Sequence, residues 1–261
     1  MIERQTQILE RVTAHERVNV PELADLFDVS QVTIRKDLDS LERDGLIRRE
    51  HGFAVATSPD DLRGRLAVDH ELKRRIAAEA ARLVVDGETV LIESGSCCAL
   101  TAARIAADSR RCTIVTNSAF IADYIRGASG ASVVLLGGDY QADSQVTVGP
   151  LVEQGVAGFF AKRLFVGIDG YDAEAGFTAR NQARASAVRA MAAQADEVVV
   201  LSVSTKFREH GAVRLLPVEG VHRVITDSGL PVEAREALAE AGLLVTIVDG
   251  LPTSSTERST S

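Results

Sequence analysis

Cysteine is scarce in this chain. Of 261 residues only Cys97, Cys98 and Cys112 carry a thiol. They are too few and too clustered for a disulfide framework, so a reducing compartment, the cytoplasm, fits best. Long apolar runs are also lacking. None approaches the roughly 20 residues that span a bilayer, so no membrane segment is expected. Met1-Ile2-Glu3-Arg4 lacks the charged-then-apolar order of a secretory signal. The five histidines, His15, His51, His70, His210 and His222, are scattered without ligand spacing, and Cys97-Cys98 has no histidine beside it. Neither a metal nor a cofactor is expected. Positive charge is short as well. The formal net charge is −8, and residues 1–58 hold 8 Lys and Arg against 11 Asp and Glu. Any nucleic-acid contact must then rest on a local basic edge rather than on overall charge. What remains is an ordinary globular composition, 46% hydrophobic and 25% charged. The length suits a small module plus one larger domain with a full core.

The most informative stretch is residues 20–39, VPELADLFDVSQVTIRKDLD. Pro21 opens a first helix, where its missing N–H costs nothing. Leu23, Ala24 and Phe27 give that helix one apolar stripe. Asp28, Val29 and Ser30 make the break, and Ser30 is a good N-cap for a second helix. There Ile34, Leu38 and Leu41 share a face. At about 100° per residue Lys36 points away from it, Thr33 and Arg35 lie on its shoulders, and Gln31 sits at the exposed start. Such a helix suits insertion into a major groove. A plain helical pair with a solvated charged face is the bland alternative. The next residues weaken it. The helix is expected to stop at Gly45, Leu46-Ile47-Arg48-Arg49 reads as a strand, Glu50-His51-Gly52 as a turn, and Phe53-Ala54-Val55-Ala56 as the returning strand. With a first helix around Gln7-Ile8-Leu9-Val12, this is the order of a winged helix-turn-helix. Double-stranded operator DNA is the expected partner, through Ser30, Gln31, Thr33, Arg35, Lys36, Arg48, Arg49 and His51. Residues 29–52, VSQVTIRKDLDSLERDGLIRREHG, resemble the DeoR-type bacterial transcriptional regulators.

Residues 57–68 lose apolar periodicity, and Ser58-Pro59-Asp60-Asp61 with Arg63-Gly64-Arg65 reads as a linker. Beyond it strands are expected at 89–92, 113–116, 132–136, 164–168, 198–203, 223–226 and 244–248. Helices alternate with them at 72–83, 99–107, 119–125, 151–156, 183–195 and 232–240. That alternation implies an α/β domain with a mostly parallel sheet covered on both faces. The expected organisation is a winged helix-turn-helix domain over 1–58, with the helix-turn-helix at 20–39, and a linker over 59–70. An effector-binding and oligomerisation α/β domain follows over 71–248, then a polar, disordered tail over 249–261.

Small polar residues gather where strands end, which is where open α/β sheets hold ligands. Glu93-Ser94-Gly95-Ser96-Cys97 opens a helix, and such a turn favours an anion. Thr116-Asn117-Ser118, Gly137-Gly138, Gly167-Ile168-Asp169-Gly170 and Ser204-Thr205-Lys206-Phe207 follow other strands. Ser94, Gly95, Ser96, Cys97, Asn117, Gly138, Asp169 and Lys206 are the expected effector set, for a small anionic metabolite. No catalytic residue is assigned.

These segments, with Val148-Gly149-Pro150 and Gly176-Phe177-Thr178, extend the family resemblance over nearly the whole chain. It implies a C-terminal part similar in fold to sugar-phosphate isomerases that binds a phosphorylated sugar or related metabolite. This sequence departs from the family pattern at Glu93, Ser96, Cys97, Cys98, Val203, Ala183, Arg184 and Val188, and at Phe53 in the wing. The function expected is a DNA-binding transcriptional regulator, a repressor of a metabolic operon, acting as a homo-oligomer, dimer or tetramer. The alternative is a sugar-phosphate isomerase or deaminase-like enzyme fused to a helix-turn-helix. It needs a general acid/base set, and the acids missing at Val203 and Ala183 argue against it.

Overall fold

Ile8, Leu9 and Val12 recur on one side of α1 (Glu3–His15), and all three are buried. The computed structural model describes residues 3–15, 17–43, 46–56, 60–108 and 111–249. The helix stop expected at Gly45, the linker residues Thr57, Ser58 and Pro59, and the tail from 250 onward lie outside them. A short strand, β1 (Arg17–Asn19), leads into α2 (Val20–Leu26), and α3 (Gln31–Arg43) follows. Asn19 caps α2, its side-chain oxygen accepting the Glu22 N–H at 2.7 Å. Pro21 sits in the first turn, where no donor is needed. Asp28 turns the chain with a left-handed backbone, φ 49°, and Ser30 accepts the Thr33 N–H at 3.2 Å to start α3. β2 (Ile47–Glu50) and β3 (Phe53–Ala56) form the wing. His51 and Gly52 join them with φ 46° and 87°, the doubly left-handed turn whose twist matches that of paired strands. β1 adds to the free side of β3. The sequence pattern carries no sign of β1, because three residues are too few to show alternation. Val18 of β1 nonetheless joins Ile8, Leu23, Ile34, Leu38 and Ile47 in one core.

The linker contains a helix. α4 (Leu62–Ala67) starts at Asp61, whose carboxylate accepts the Arg63 N–H at 3.0 Å. Leu62 and Leu66 pack into a core of the larger domain, while Ala67 packs into the core of the smaller one. Its sequence, LRGRLA, puts two arginines and a glycine between its leucines, which is why it reads as a linker.

The larger domain runs α5 (His70–Arg82), β4 (Thr89–Ile92), α6 (Ser96–Ala107), β5 (Cys112–Thr116), α7 (Ala119–Tyr124) and β6 (Ala131–Leu135). Then come the hairpin β7 (Asp139–Gln141) and β8 (Val146–Val148), α8 (Pro150–Val156), β9 (Ala161–Val166), β10 (Gly170–Asp172), β11 (Gly176–Ala179) and α9 (Gln182–Ala192). It ends with β12 (Ala195–Leu201), β13 (Val213–Leu216), β14 (Arg223–Asp227), α10 (Val232–Glu240) and β15 (Leu244–Val248). Seven strands form one sheet, β15-β14-β12-β9-β4-β5-β6, with every neighbouring pair parallel. Both faces are covered, as continuous apolar strands require. Leu164 and Val166 of β9 enter one core, and Phe165 between them enters the other. The small antiparallel sheet β10-β11-β13 and the β7-β8 hairpin are additions that strand–helix alternation does not reveal.

Charges concentrate at the amino ends of the central strands. Nη1 of Arg163 on β9 donates to both Glu88 oxygens at 2.8 and 2.7 Å, and its Nε donates to Glu197 on β12 at 2.9 Å. Arg223 on β14 donates to Glu197 at 3.3 Å. The opposite, carboxyl end is where strand order reverses: from β4 the chain moves outward through β5 and β6, and from β9 outward the other way. A crevice is expected at that switch point.

Candidate DNA interface and effector cleft

On α3, Ile34, Leu38 and Leu41 are fully buried while Gln31, Arg35 and Lys36 are exposed, the division expected of a groove-reading helix. Ser30 and Thr33 bond each other, oxygen to oxygen at 3.0 Å, at the start of the helix. Val32 is 60% exposed beside Gln31, a further contact surface of the kind that suits a thymine methyl. The acid of α3 nearest these cations, Asp37, is turned inward. It accepts from Arg4 at 2.7 Å and from Gln5 at 3.3 Å.

The wing arginines do not extend this edge together. Successive strand residues face opposite ways. Arg49 turns toward α3, where its guanidinium pairs with Asp39 and its N–H donates to Glu42 at 2.9 Å. Arg48 turns to the other face and lines the space between the domains. His51 stands exposed at the tip of the wing.

That space is a cleft of about 750 Å³. Thr13, Arg48, Val55 and Ala56 line it from the smaller domain, Gly64 and Arg65 from α4, and Gly95, Ser96, Cys97, Asp169 and Lys206 from the sheet. Its floor is the switch point. An ideal Cβ on Gly95 would lie 3.3 Å from the Gly167 backbone and 3.2 Å from Cys98 Sγ, so the two turns touch because both carry glycine.

Five of the eight expected effector residues thus come together: Gly95, Ser96, Cys97, Asp169 and Lys206. Three do not line the cleft. Ser94 is buried, its hydroxyl donating to Glu93 at 2.7 Å. Asn117 is buried, donating to the Thr147 carbonyl at 2.9 Å, and so belongs to the β7-β8 side. Gly138 packs there too, with an ideal Cβ only 2.6 Å from the Val148 carbonyl. The reason is sheet order. β4, β9 and β12 are neighbours, and their loops meet, whereas the loops after β5 and β6 lie further out.

Lys206 is held by Glu209, with Nζ 3.0 Å from each carboxylate oxygen, and Glu209 also takes Arg180 at 3.0 Å. The Asp169 carboxylate accepts the Arg180 N–H at 2.9 Å. Burial raises the Cys97 thiol to about 11, and the Cys98 thiol well above its usual range. Both stay protonated, which suits packing rather than nucleophilic or redox chemistry. Lys73, on α5, had no functional mark in the sequence beyond its place in a helix. Its side chain is buried and donates to the Arg65 and Val68 carbonyls at 2.6 Å each, tying the end of α4 to the floor of the cleft. Burial lowers its pKa, an effect that the nearby Asp69 carboxylate only partly offsets.

A winged helix-turn-helix joined to a sheet with a ligand-sized cleft at its switch point defines a DNA-binding transcriptional regulator with a sensor domain. The model of the DeoR-like helix-turn-helix domain matches residues 4–60, and that of the DeoR C terminal sensor domain matches residues 68–228. The chain belongs to the DeoR family. The HTH-type transcriptional regulator GlpR of Haloferax volcanii is 32% identical over 255 residues, covering 95% of this chain and 98% of that protein. The transcriptional repressor AccR of Agrobacterium fabrum is 30% identical over 232 residues, covering 87% and 90%. Among solved structures, ribose 5-phosphate isomerase A from Methanocaldococcus jannaschii is similar over 53% of this chain and 55% of its own, at 19% identity and TM-score 0.39. Among the described residues no helix is long and apolar enough to cross a membrane.

Proposed function

We propose that this regulator is a cytoplasmic, non-enzymatic repressor of a metabolic operon, released by a small anionic, sugar-like metabolite bound in the cleft. One observation carries the reading. Arg48, Val55 and Ala56 of the wing face Gly95, Ser96 and Lys206 of the sheet across the cleft, so a bound ligand touches both domains. A ligand with contacts to both favours one arrangement of them over another, which is what coupling requires. Relatives named as repressors support the direction of regulation. The carboxylates of Glu93, Asp169 and Glu209 are all engaged by hydrogen bonds or ion pairs, which argues against a general base and so against the isomerase alternative.

Operator contacts are assigned to Gln31, Thr33, Arg35, Lys36 and the wing tip at His51. Arg35→Ala and Lys36→Ala should each weaken operator binding without unfolding the chain. A lost phosphate contact lowers the salt slope by about 1, and a lost base contact costs about 1–3 kcal/mol and relaxes sequence preference. Unchanged binding in both variants refutes the docking. A homo-oligomer follows from the shortage of cations, since paired winged domains double the contacts. Val133 and Leu135 leave apolar surface exposed on the edge strand β6, which supports contact between copies.

A further inference from the structure

Arg184 stands in the first turn of α9 and reaches out of the sheet domain to Asp60, its Nη2 donating to Oδ2 at 2.7 Å. Only 13% of the Arg184 side chain is exposed, against 38% for Asp60. The pairing uses a single nitrogen. Nε of Arg184 is buried without a hydrogen-bond partner. A guanidinium takes a carboxylate best side-on, through two parallel N–H bonds, and a buried donor left over is costly. Asp60 therefore fills this position only in part.

The surroundings fit an acid. Arg184 lines an alcove of about 30 Å³ with Arg65, Asn181, Gly95 and Asp169, and the alcove shares Arg65, Gly95 and Asp169 with the larger cleft. It has room for one head group, with the body of a ligand in the cleft. The acids that also face it are committed. Glu93 accepts the Ser94 hydroxyl at 2.7 Å and the Gly167 N–H at 3.2 Å, and Asp169 accepts the Arg180 N–H at 2.9 Å. Two guanidiniums facing two committed carboxylates still draw in a third, that of Asp60.

We propose that Arg184 is the specificity-determining residue of the effector cleft and takes a carboxylate of the effector, in the place that Asp60 of the same chain holds here. The effector class is then a small carboxylic acid, such as a sugar acid, rather than an uncharged sugar. This rests on the cleft being the effector site. Asp60 immediately precedes the Asp61 cap of α4, so its release acts on the helix that both cores share.

The test is thermal unfolding of the full chain with acetate as the carboxylate probe, chloride holding ionic strength constant, and inorganic phosphate as a second probe. Asp60→Asn removes the internal competitor and should lower the acetate concentration for half-maximal stabilisation about fivefold. Arg184→Met should abolish the acetate response alone and when combined with Asp60→Asn. Arg184→Lys keeps the charge without the side-on geometry and should retain a weakened response, a check that does not depend on the Met variant folding. No acetate response in Asp60→Asn, or an equal response in Asp60→Asn and the double variant, overturns the proposal. Phosphate is expected at the Gly95-Ser96 turn and should stop stabilising a Ser96→Asp variant, which puts a carboxylate in the cleft without prising Gly95 from Gly167. A phosphate response that persists there counts against the cleft as an anion site, and leaves the acetate results to judge Arg184.

Discussion

Replacing Lys73 by Met keeps the length of the side chain and removes the ammonium that holds α4. Two hydrogen bonds of 2.6 Å go with it, those to the Arg65 and Val68 carbonyls. A hydrogen bond to a charged group contributes about 1.5–3 kcal/mol. Residues 65 and 68 are half-buried, so water replaces part of the loss, and Met is relieved of burying a charge. The expected net destabilisation is about 1–2 kcal/mol. In a chain of this size that lowers Tm by about 2–8 °C. The lysine also leaves a pH signature. Burial holds its pKa in the folded protein below the usual 10.5, so the unfolded chain binds this proton more tightly. The cost of the buried charge is fully present below the lowered pKa. It fades as pH rises from there to 10.5, and over that window Lys73 makes stability climb. Lys73→Met must lack that climb. Thermal unfolding at pH 7 and at steps up to pH 10.5 reads both effects. Equal midpoints at pH 7 with parallel curves at high pH would refute the assigned role. Operator binding should survive, because no residue of α3 is touched.

Arg163→Met leaves Glu88 and Glu197 without their shared partner at the base of three strands, and should cost about 3–5 kcal/mol, read by chemical denaturation. Ile34→Ala empties a fully buried position under α3 and should cost the smaller domain about 2–5 kcal/mol, lowering its unfolding transition and abolishing operator binding while the sheet domain melts as before. Sedimentation at micromolar concentration should find at least a dimer; a monomer with intact operator binding would refute the paired-domain argument.

Periodicity was a good guide wherever an element was long enough to repeat. The stripe Ile34, Leu38 and Leu41 placed α3 and its exposed cations, and unbroken apolar runs placed the seven strands. β1, α4 and the β7-β8 hairpin are short and carry neither an unbroken apolar run nor a repeat, and only packing reveals them. In the wing, alternation tells that Arg48 and Arg49 part company but not which one meets α3. In the sheet, each loop after a strand was recognisable, but which loops are neighbours depends on strand order. That is why Asn117 and Gly138 belong elsewhere while Asp169 meets Gly95. Arg184 was visible as a departure from the family pattern; its reach to Asp60, 124 positions away, was not.

The ladder of Glu88, Arg163, Glu197 and Arg223 sits at one pole of the sheet and the cleft at the other. The same strands β4, β9 and β12 serve both ends. Each strand is thus anchored at its beginning and free to vary past its end. A lineage can change the residues at positions 184 and 97, past the ends of these strands, without loosening the scaffold. Sensors of this build can acquire new signals by substitution at one rim while inheriting the other intact.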